Sequence, residues 1–455
     1  MSARLSRALA RLFNLRPGEA PAVAGGLGMF FLLFTAYFML RPVRETMGVA
    51  GGVNNLQWLF TGTFVATLAA LPLFGWVASK APRRRIVPWT YGFFVLNLLA
   101  FAAGLQLYPD SVWAGRAFYI WLSVFNLMAI SLAWSVLADL FAGDEARRLF
   151  ALIAGGASLG GLAGPVLGAL LVAPLGHGGL LVLAAVMLGG SAALAVALHR
   201  WRDRHPPAEP AMPAAGVDPA QRRRPLGGNS FAGVGEVLRS PYLLGIALFV
   251  VLLASVSTFL YFEQARLVAE HFPDRTRQTQ VFGLIDAAVQ TLAILTQLFL
   301  TGRLAQRLGV GVLLTAVPLL LAAGFLWLAF SPVFAVFVVV MVARRAGEYA
   351  LVRPGREMLY TVVPAEQKYK AKNFNDTVVY RGGDALSGWV KRGVDLMADQ
   401  PALALCIGAG IALAWAATGA WLARWHRRLE AGRAPAAGDA RMAPTPPAAP
   451  RAPGG

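Results

Sequence analysis

Charged and metal-binding side chains are scarce in this chain. Only 14% of its 455 residues are Asp, Glu, Lys or Arg, against roughly a quarter in a soluble domain, and it has five histidines and one cysteine, Cys406. A lone cysteine cannot build a disulfide framework, and the sequence contains no P-loop, no HExxH motif and no nucleophile elbow. We therefore expect no enzyme, no metal, no cofactor and no ATP-driven pump.

Long apolar runs make up most of the chain. It is 57% hydrophobic with a mean hydropathy of +0.57, and runs of about 20 apolar residues, each long enough to cross a bilayer, recur along it. This pattern predicts an all-α, multi-pass membrane protein with the lipid bilayer as its surroundings. We place twelve spans at residues 21–43, 55–79, 86–107, 113–141, 147–174, 177–199, 241–266, 278–306, 310–330, 332–360, 371–398 and 401–425.

The more polar segments divide the chain. Residues 1–20 form a basic, amphipathic lead without the cleavage site of a signal peptide, and we expect a helix on the cytoplasmic membrane surface. Two six-helix halves, 21–199 and 241–428, flank a linker at 200–240 that is rich in Arg, Pro, Gly and Ala. The composition of the tail, 429–455, predicts disorder.

The net charge of +18 indicates orientation in a membrane rather than a nucleic-acid polymer as partner. Basic residues cluster in alternate loops, as at 80–85, and in the linker at Arg222–Arg224. Loops of the other set, such as 173–179, have none. Because Lys and Arg accumulate on the cytoplasmic side, both termini are predicted to be cytoplasmic.

The two halves repeat. An offset of 221 residues places Gln57 on Gln278 and Gly62 on Gly283. Two six-span repeats with a cytoplasmic linker form the major facilitator architecture, in which the substrate site lies near the midplane between the halves. The stretch GWVASKAPRRR, 75–85, resembles the signature loop of that superfamily, although Ser79 replaces the signature aspartate.

A glycine face in the fifth span predicts close helix packing. Gly156, Gly160 and Gly164 are spaced four apart, so they share one face of a helix. Small residues at this spacing let two membrane helices approach closely.

Charged residues inside the predicted spans carry the functional signal. A charge at the bilayer centre costs roughly 2.5–3.5 kcal/mol, so such side chains face a cavity or one another. Six of them lie near mid-membrane in the eighth, tenth and eleventh spans: Asp286, Arg344, Arg345, Glu348, Arg381 and Asp384.

Two interpretations of these charges stay open. They are either ion pairs that hold helices together or a site for an anion, and surplus arginine favours the site because a guanidinium binds phosphate or carboxylate bidentately. Arg41, Arg44 and Glu45 pose a similar choice at the outer end of the first span. They either reach the outer headgroups after Pro42 ends or bends the helix, or they form an outer funnel for the anion.

Three stretches resemble the ATP/ADP translocase family of nucleotide transporters, found in intracellular bacteria and plastids. They are LRPVRETMGV (40–49), DEARRLFALI (144–153) and RPGREMLYTVVPAEQKYKAKNFNDTVVYRGG (353–383). The resemblance implies transport roles for Arg44, Glu45, Glu145, Arg356 and Lys372, with Glu357 and Asp376 also on charged family positions. The chain departs from the family where Arg44 and Arg356 replace lysines and where Asp384 stands in place of a lysine.

We therefore expect a secondary transporter that moves an organic anion, a nucleotide or another phosphorylated metabolite, by alternating access. The resemblance implies a bacterial inner membrane, and we expect a monomer. Two alternatives stay open. One is a proton-coupled symporter or exporter of an unrelated substrate, with the proton on Asp286 or Asp384; the other is a non-transporting receptor or scaffold on the same fold.

Overall fold

The computed structural model describes residues 16, 18–80, 83–141, 143–206, 233–397 and 401–432, and all regular structure in these residues is helical. Most of the predicted lead, linker and tail, including Arg222–Arg224, lies outside them, as does part of the signature loop. The roles and the domain boundaries predicted for these segments stay predictions.

The first half is built from five long helices. They are Ala20–Ala50, Leu56–Lys80, Arg83–Leu107, Val112–Leu140 and Gly143–Arg204, with a 3-10 turn at Val53–Asn55. Within the last of these, Gly176 has φ of 67°, a left-handed conformation that glycine adopts without strain, and the helix breaks there. It therefore supplies both the fifth and the sixth span.

The second half is more irregular. Its helices are Val234–Arg239, Pro241–His271, Arg275–Thr296, Gly302–Phe330, Phe334–Gly347, Arg353–Leu359, Ala365–Phe374, Tyr380–Met397 and Pro401–Ala431, with a 3-10 turn at Tyr360–Val362. Gly309, with φ of 73°, separates the eighth span from the ninth. Wide π-helical turns at Gln297–Thr301, Glu348–Val352 and Asn375–Val379 interrupt the eighth, tenth and eleventh spans.

Helix length and composition agree with twelve crossings. Eight helices in the described chain are long and apolar enough to cross a membrane, and two of them, Glu145–Arg204 and Arg275–Phe330, have 60 and 56 residues. About 20 residues cross a bilayer, so these two cross twice and the set gives ten crossings. The tenth and eleventh spans, which carry most of the charges predicted near mid-membrane, complete the count. The predicted all-α, twelve-span architecture is confirmed.

The predicted glycine face packs the fifth span directly on the first. A Cβ added to Gly156 would lie 2.2 Å from the carbonyl oxygen of Leu27, and one added to Gly164 would lie 2.7 Å from that of Thr35. Gly160 lies between these two glycines, about one turn from each, and approaches the backbone of the first span in the same way. Only glycine allows the two backbones to lie this close.

The first span is longer than predicted. It runs from Ala20 to Ala50 with Pro42 inside it, and the interpretation in which Pro42 ends the helix is wrong. Neighbouring helices can satisfy the backbone group that a proline leaves free in a membrane helix. The continued helix places Arg44 and Glu45 inside the protein.

The two ends of the bundle differ. We call the end that contains Glu19, His205 and Ala431 the terminal face, and the opposite end, with Gly176, the distal face. At the distal face the halves touch: Thr46 Oγ1 lies 2.7 Å from Thr279 Oγ1, and Trp389 Nε1 donates to Thr61 Oγ1 at 3.1 Å.

The terminal face shows no such closure among the residues that the structure describes. The ion pairs there join residues of the same half, as in Arg148 with Glu19 at 2.8 Å and Arg356 with Asp376 at 2.9 Å. The hydrogen bonds named above therefore join the halves at the distal face, whereas these two ion pairs of the terminal face each lie within one half.

Candidate functional site: a central cavity between the halves

A cavity of about 250 Å³ lies between the two halves. The first, second and fourth spans line it on one side, and the seventh, eighth, tenth and eleventh line it on the other. A second cavity of about 310 Å³ shares Arg353, Tyr380 and Arg381 with it and extends to Arg356 towards the terminal face. Together the two fall in the range of about 300–1,000 Å³ usual for small-molecule sites.

Nine of the twelve predicted site residues meet here. Eight line the central cavity and Glu348 lies at its edge beside Arg344; the eight are Arg41, Arg44, Glu45, Asp286, Arg344, Arg345, Arg381 and Asp384.

The other three predicted residues form ion pairs nearer the terminal face. Glu145 pairs with Arg202 at 2.5 Å, away from the cavities. Lys372 pairs at 2.6 Å with Glu357, which lines the second cavity. Arg356 lines the second cavity, where it pairs with Asp376. The structure does not bring these three into the central site.

Asp286 is shared between the halves. Its Oδ1 accepts a hydrogen bond of 2.5 Å from Arg345 Nη1 of the tenth span, and both side chains are buried. Arg41 of the first span approaches the other oxygen, with Nε 3.7 Å from Oδ2. Arg41 also donates to the hydroxyl of Tyr349 at 3.4 Å. This carboxylate therefore links two arginines from opposite sides of the cavity.

Glu348 neutralises charge on the tenth span. Arg344 Nη1, one helical turn before it, lies 3.2 Å from its Oε2. Arg353 Nη2 lies 3.8 Å from its Oε1. Arg353, which was not among the predicted site residues, follows the wide turn at Glu348–Val352 and lines the cavity wall.

Arg44 forms no ion pair with a carboxylate among the described residues. Its guanidinium lies over the ring of Tyr119, 4.2 Å from the centroid, and its buried Nε is unpaired. The adjacent Glu45 accepts a hydrogen bond from Tyr261 of the second half instead. Tyr119 in turn donates to Tyr261 at 2.9 Å. Arg44 therefore presents donors that no carboxylate contacts.

The charges in the cavity do not balance. Six arginines line it (Arg41, Arg44, Arg344, Arg345, Arg353 and Arg381) against four acids in or beside it (Glu45, Asp286, Glu348 and Asp384), an excess of two positive charges. A cleft lined by surplus charge of one sign attracts solutes of the other sign.

The placement of Arg41, Arg44 and Glu45 corrects both interpretations offered from the sequence. They neither reach the outer headgroups nor form a separate outer funnel, because they line the central cavity with residues of the second half. The helix that continues through Pro42 accounts for this.

Sequence reasoning missed the contribution of the seventh span. Ser257, Thr258, Tyr261 and Gln264 line the cavity from this helix, and Ser257 accepts a hydrogen bond of 2.5 Å from Arg344. Ser257, Tyr261 and Gln264 follow the i, i+4, i+7 spacing of one helix face within an apolar stretch. That polar stripe was a usable signal for a cavity wall.

Helices arranged in two halves around a polar cavity define a multi-pass membrane transporter. Residues 23–343 match the Major Facilitator Superfamily, and the chain belongs to that superfamily. It is a transporter rather than an enzyme. No curated protein sequence matches the chain.

Solved structures share this fold. A bacterial homologue of the human lysosomal transporter Spinster, in an inward-facing and unoccupied conformation, is 14% identical with a TM-score of 0.57, over 91% of this chain and 98% of that one. The nucleoside transporter NupG is 16% identical with a TM-score of 0.56, over 90% and 99%. The human organic anion transporter MFSD10 is 16% identical with a TM-score of 0.55, over 89% and 100%.

Proposed function

We propose that the chain is a secondary transporter that exchanges organic anions, nucleotides or similar phosphorylated metabolites, across a bacterial inner membrane. The observation that carries this proposal is the guanidinium of Arg44, which forms no ion pair with a described carboxylate, in a cavity with an excess of two positive charges. A phosphate or carboxylate bound there would supply the missing acceptor, and guanidinium groups match both geometrically.

The asymmetry of the two ends supports alternating access. With both termini in the cytoplasm, the terminal face is the inner face, and the structure has its halves in contact on the outer side. The halves would rock about the central site so that the contacts at Thr46 and Thr279 open as the terminal face closes. The site is complete within one chain, which supports a monomer.

Exchange follows from the cost of an empty site. If the halves closed around the cavity without substrate, Arg44 would be buried without an acceptor, and an uncompensated buried charge is strongly unfavourable. A bound anion removes this cost. The loaded carrier should therefore reorient faster than the empty one, which is the behaviour of an antiporter.

Two features favour a nucleotide over a simpler anion. The cavity carries aromatic rings on which a base could stack, from Tyr37, Phe60, Tyr119, Tyr261, Tyr349 and Tyr380. The resemblance of three stretches to the ATP/ADP translocase family includes Arg44 and Glu45, which both lie in this cavity. Among proteins of the same fold, one is a nucleoside transporter and another an organic anion transporter.

Uptake by purified protein in proteoliposomes tests the substrate class. The panel is labelled ATP, ADP, AMP, inorganic phosphate and uncharged adenosine, each with Arg44→Gln, Arg44→Lys and a control, Arg303→Gln, at an exposed position outside the cavities. Loss of hydrogen bonds to a charged group should weaken apparent anion affinity roughly ten- to hundredfold in Arg44→Gln. Arg44→Lys should lose less, and Arg303→Gln should match wild type. Adenosine uptake with no anion uptake would contradict the proposal.

One observation favours a proton-coupled mechanism as a second candidate. Asp384 is buried at the cavity wall, its nearest cation is Arg381 at 3.8 Å, and it accepts a hydrogen bond from Thr258 at 3.3 Å. A carboxyl without a close cation can carry a proton. Uptake that requires an inward proton gradient, and loses that requirement in Asp384→Asn, would favour coupling over exchange.

A further inference from the structure

Two hydrogen bonds join two of the wide turns in the second half to each other. From the turn at Gln297–Thr301 in the eighth span, Gln297 Nε2 donates to the carbonyl oxygen of Tyr349 at 3.1 Å. Thr301 Oγ1 donates to the carbonyl oxygen of Ala350 at 2.8 Å. Both acceptors belong to the wide turn Glu348–Val352 of the tenth span.

These two hydrogen bonds stabilise an unusual backbone. A π-helical turn contains i to i+5 hydrogen bonds and is rare because it disturbs the regular ladder and leaves carbonyls poorly satisfied. Side chains of the eighth span supply donors to two such carbonyls. Neither Gln297 nor Thr301 lines the central cavity or the cavity next to it.

The wide turn determines which side chains reach the cavity. Glu348 contacts Arg344, four residues before it, and Arg353, five residues after it. In a regular α-helix, residues three or four apart share a face and residues five apart do not. Arg353 also stacks on the ring of Tyr349, 4.5 Å from the centroid. The extra residue in the turn therefore brings Arg353 into the site.

We propose that Gln297 and Thr301 are positioning residues, which place Arg353 and Glu348 at the central site by fastening the wide turn of the tenth span to the eighth. Without them the turn relaxes towards a regular helix, and the segment that begins at Arg353 rotates relative to Arg344. The effect on anion affinity rests on the proposed function; the effect on the turn does not.

A thiol-accessibility experiment tests the turn without any substrate. In a Cys406→Ser background, Val352→Cys introduces one thiol at a position in the wide turn with 0% exposure, beside the second cavity. Thr301→Val removes the donor with little change in shape. It should speed modification by a charged thiol reagent roughly five- to tenfold, the factor that one net hydrogen bond represents. Thr301→Ser should restore the slow rate.

Thr291 provides a matched control in the same span. It is exposed, and its hydroxyl donates only to its own helix, to Ala287 at 2.9 Å. Thr291→Val should leave the modification rate unchanged. Equal rates in Thr301→Val and Thr291→Val would overturn the proposal, even if the protein transports anions.

A double-mutant cycle separates positioning from general stability. Thr301→Val should raise the KM for the transported anion severalfold while adding little in an Arg353→Gln background, because both changes remove the same contact. Independent, additive effects would overturn the positioning role. If no anion in the panel is transported but Thr301→Val still speeds labelling, the proposed function fails and the fastening of the turn stands.

Discussion

The arginines of the central cavity differ in what neutralises them. Arg345 has the carboxylate of Asp286 at 2.5 Å, and Arg344 has Glu348 at 3.2 Å. Arg44 has only the face of a tyrosine ring. Under the proposed function, an incoming anion would gain most from Arg44, because it need not displace a protein carboxylate there. The paired arginines hold the acids of the cavity in place.

The intramembrane charges could be predicted from the sequence because charge inside an apolar run is costly and therefore conspicuous. Their partners could not. Whether Arg345 pairs with Asp286 or with Glu348 depends on which helix faces it, and this is a tertiary relation. The sequence analysis placed Arg41 at the outer end of the first span because the helices that face it are likewise not visible in the sequence.

A residue outside the membrane-spanning segments gives a pH-dependent contribution to stability. Glu19 lies before the first span and accepts hydrogen bonds from Arg148 and from the backbone N–H of Arg16. Burial alone would raise the pKa of its carboxyl, but these hydrogen bonds outweigh it, and the pKa is lowered from its ordinary value of 4.5.

A lowered carboxyl pKa stabilises the fold above the unfolded value and loses that effect in acid. The contribution of Glu19 should be fully present above pH 4.5 and decline as the pH falls below 4.5 through the folded-state pKa. Glu19→Gln should lower the melting temperature in detergent at pH 7, and its difference from wild type should shrink below pH 4.5. Glu236→Gln, which removes no described ion pair, is the control and should change the melting temperature at pH 7 less than Glu19→Gln does. A difference for Glu19→Gln that grows in acid would contradict this.

At the scale of whole helices, the sequence predicted that the fifth span packs closely on another helix, and the structure shows that this helix is the first span. The glycines at 156, 160 and 164 place backbone against backbone along about two turns of the fifth span. The neighbouring Gly155 points elsewhere, and a Cβ there would meet nothing within 4 Å.

Gly156→Ala should therefore destabilise the protein. The added methyl group would lie 2.2 Å from a backbone carbonyl oxygen, which cannot move aside as a flexible side chain can. Overpacking of this kind costs about 1–3 kcal/mol. Gly155→Ala is the matched control and should be neutral or slightly stabilising, since alanine favours a helix. Equal melting temperatures for the two variants would show that the two spans are not packed this closely.

The wide turns could not be predicted from the sequence. Long apolar runs predict regular helices. The breaks between the fifth and sixth spans and between the eighth and ninth spans both occur at a glycine. A π-helical turn has no comparable signature, because it depends on donors from a neighbouring helix such as Thr301. The place of Arg353 in the cavity wall could therefore not be predicted either.

At the scale of the whole molecule, several described contacts join the two halves at the distal face. Besides Thr46 and Thr279, Arg392 donates to Asn54 at 3.1 Å across the distal face. His177 lies 2.9 Å from the hydroxyl of Thr279. Alternating access requires these contacts to separate in every transport cycle.

A cross-link at the distal face should stop transport reversibly. In a Cys406→Ser background, Thr46→Cys combined with Thr279→Cys places two thiols where hydroxyl oxygens lie 2.7 Å apart. Oxidation or a short bifunctional thiol reagent should join them and abolish uptake, and a reductant should restore it. Either single variant should be insensitive to the treatment. Full transport by the cross-linked protein would contradict alternating access.

Exchange across a membrane tests the central claim most directly. The measurement is uptake of labelled ATP into proteoliposomes that contain purified protein and are either loaded with ADP or empty. We predict rapid uptake only into loaded vesicles, lost in Arg44→Gln and retained in Arg303→Gln. Equal uptake into loaded and empty vesicles would contradict exchange, and no uptake of ATP by folded protein would contradict the nucleotide assignment.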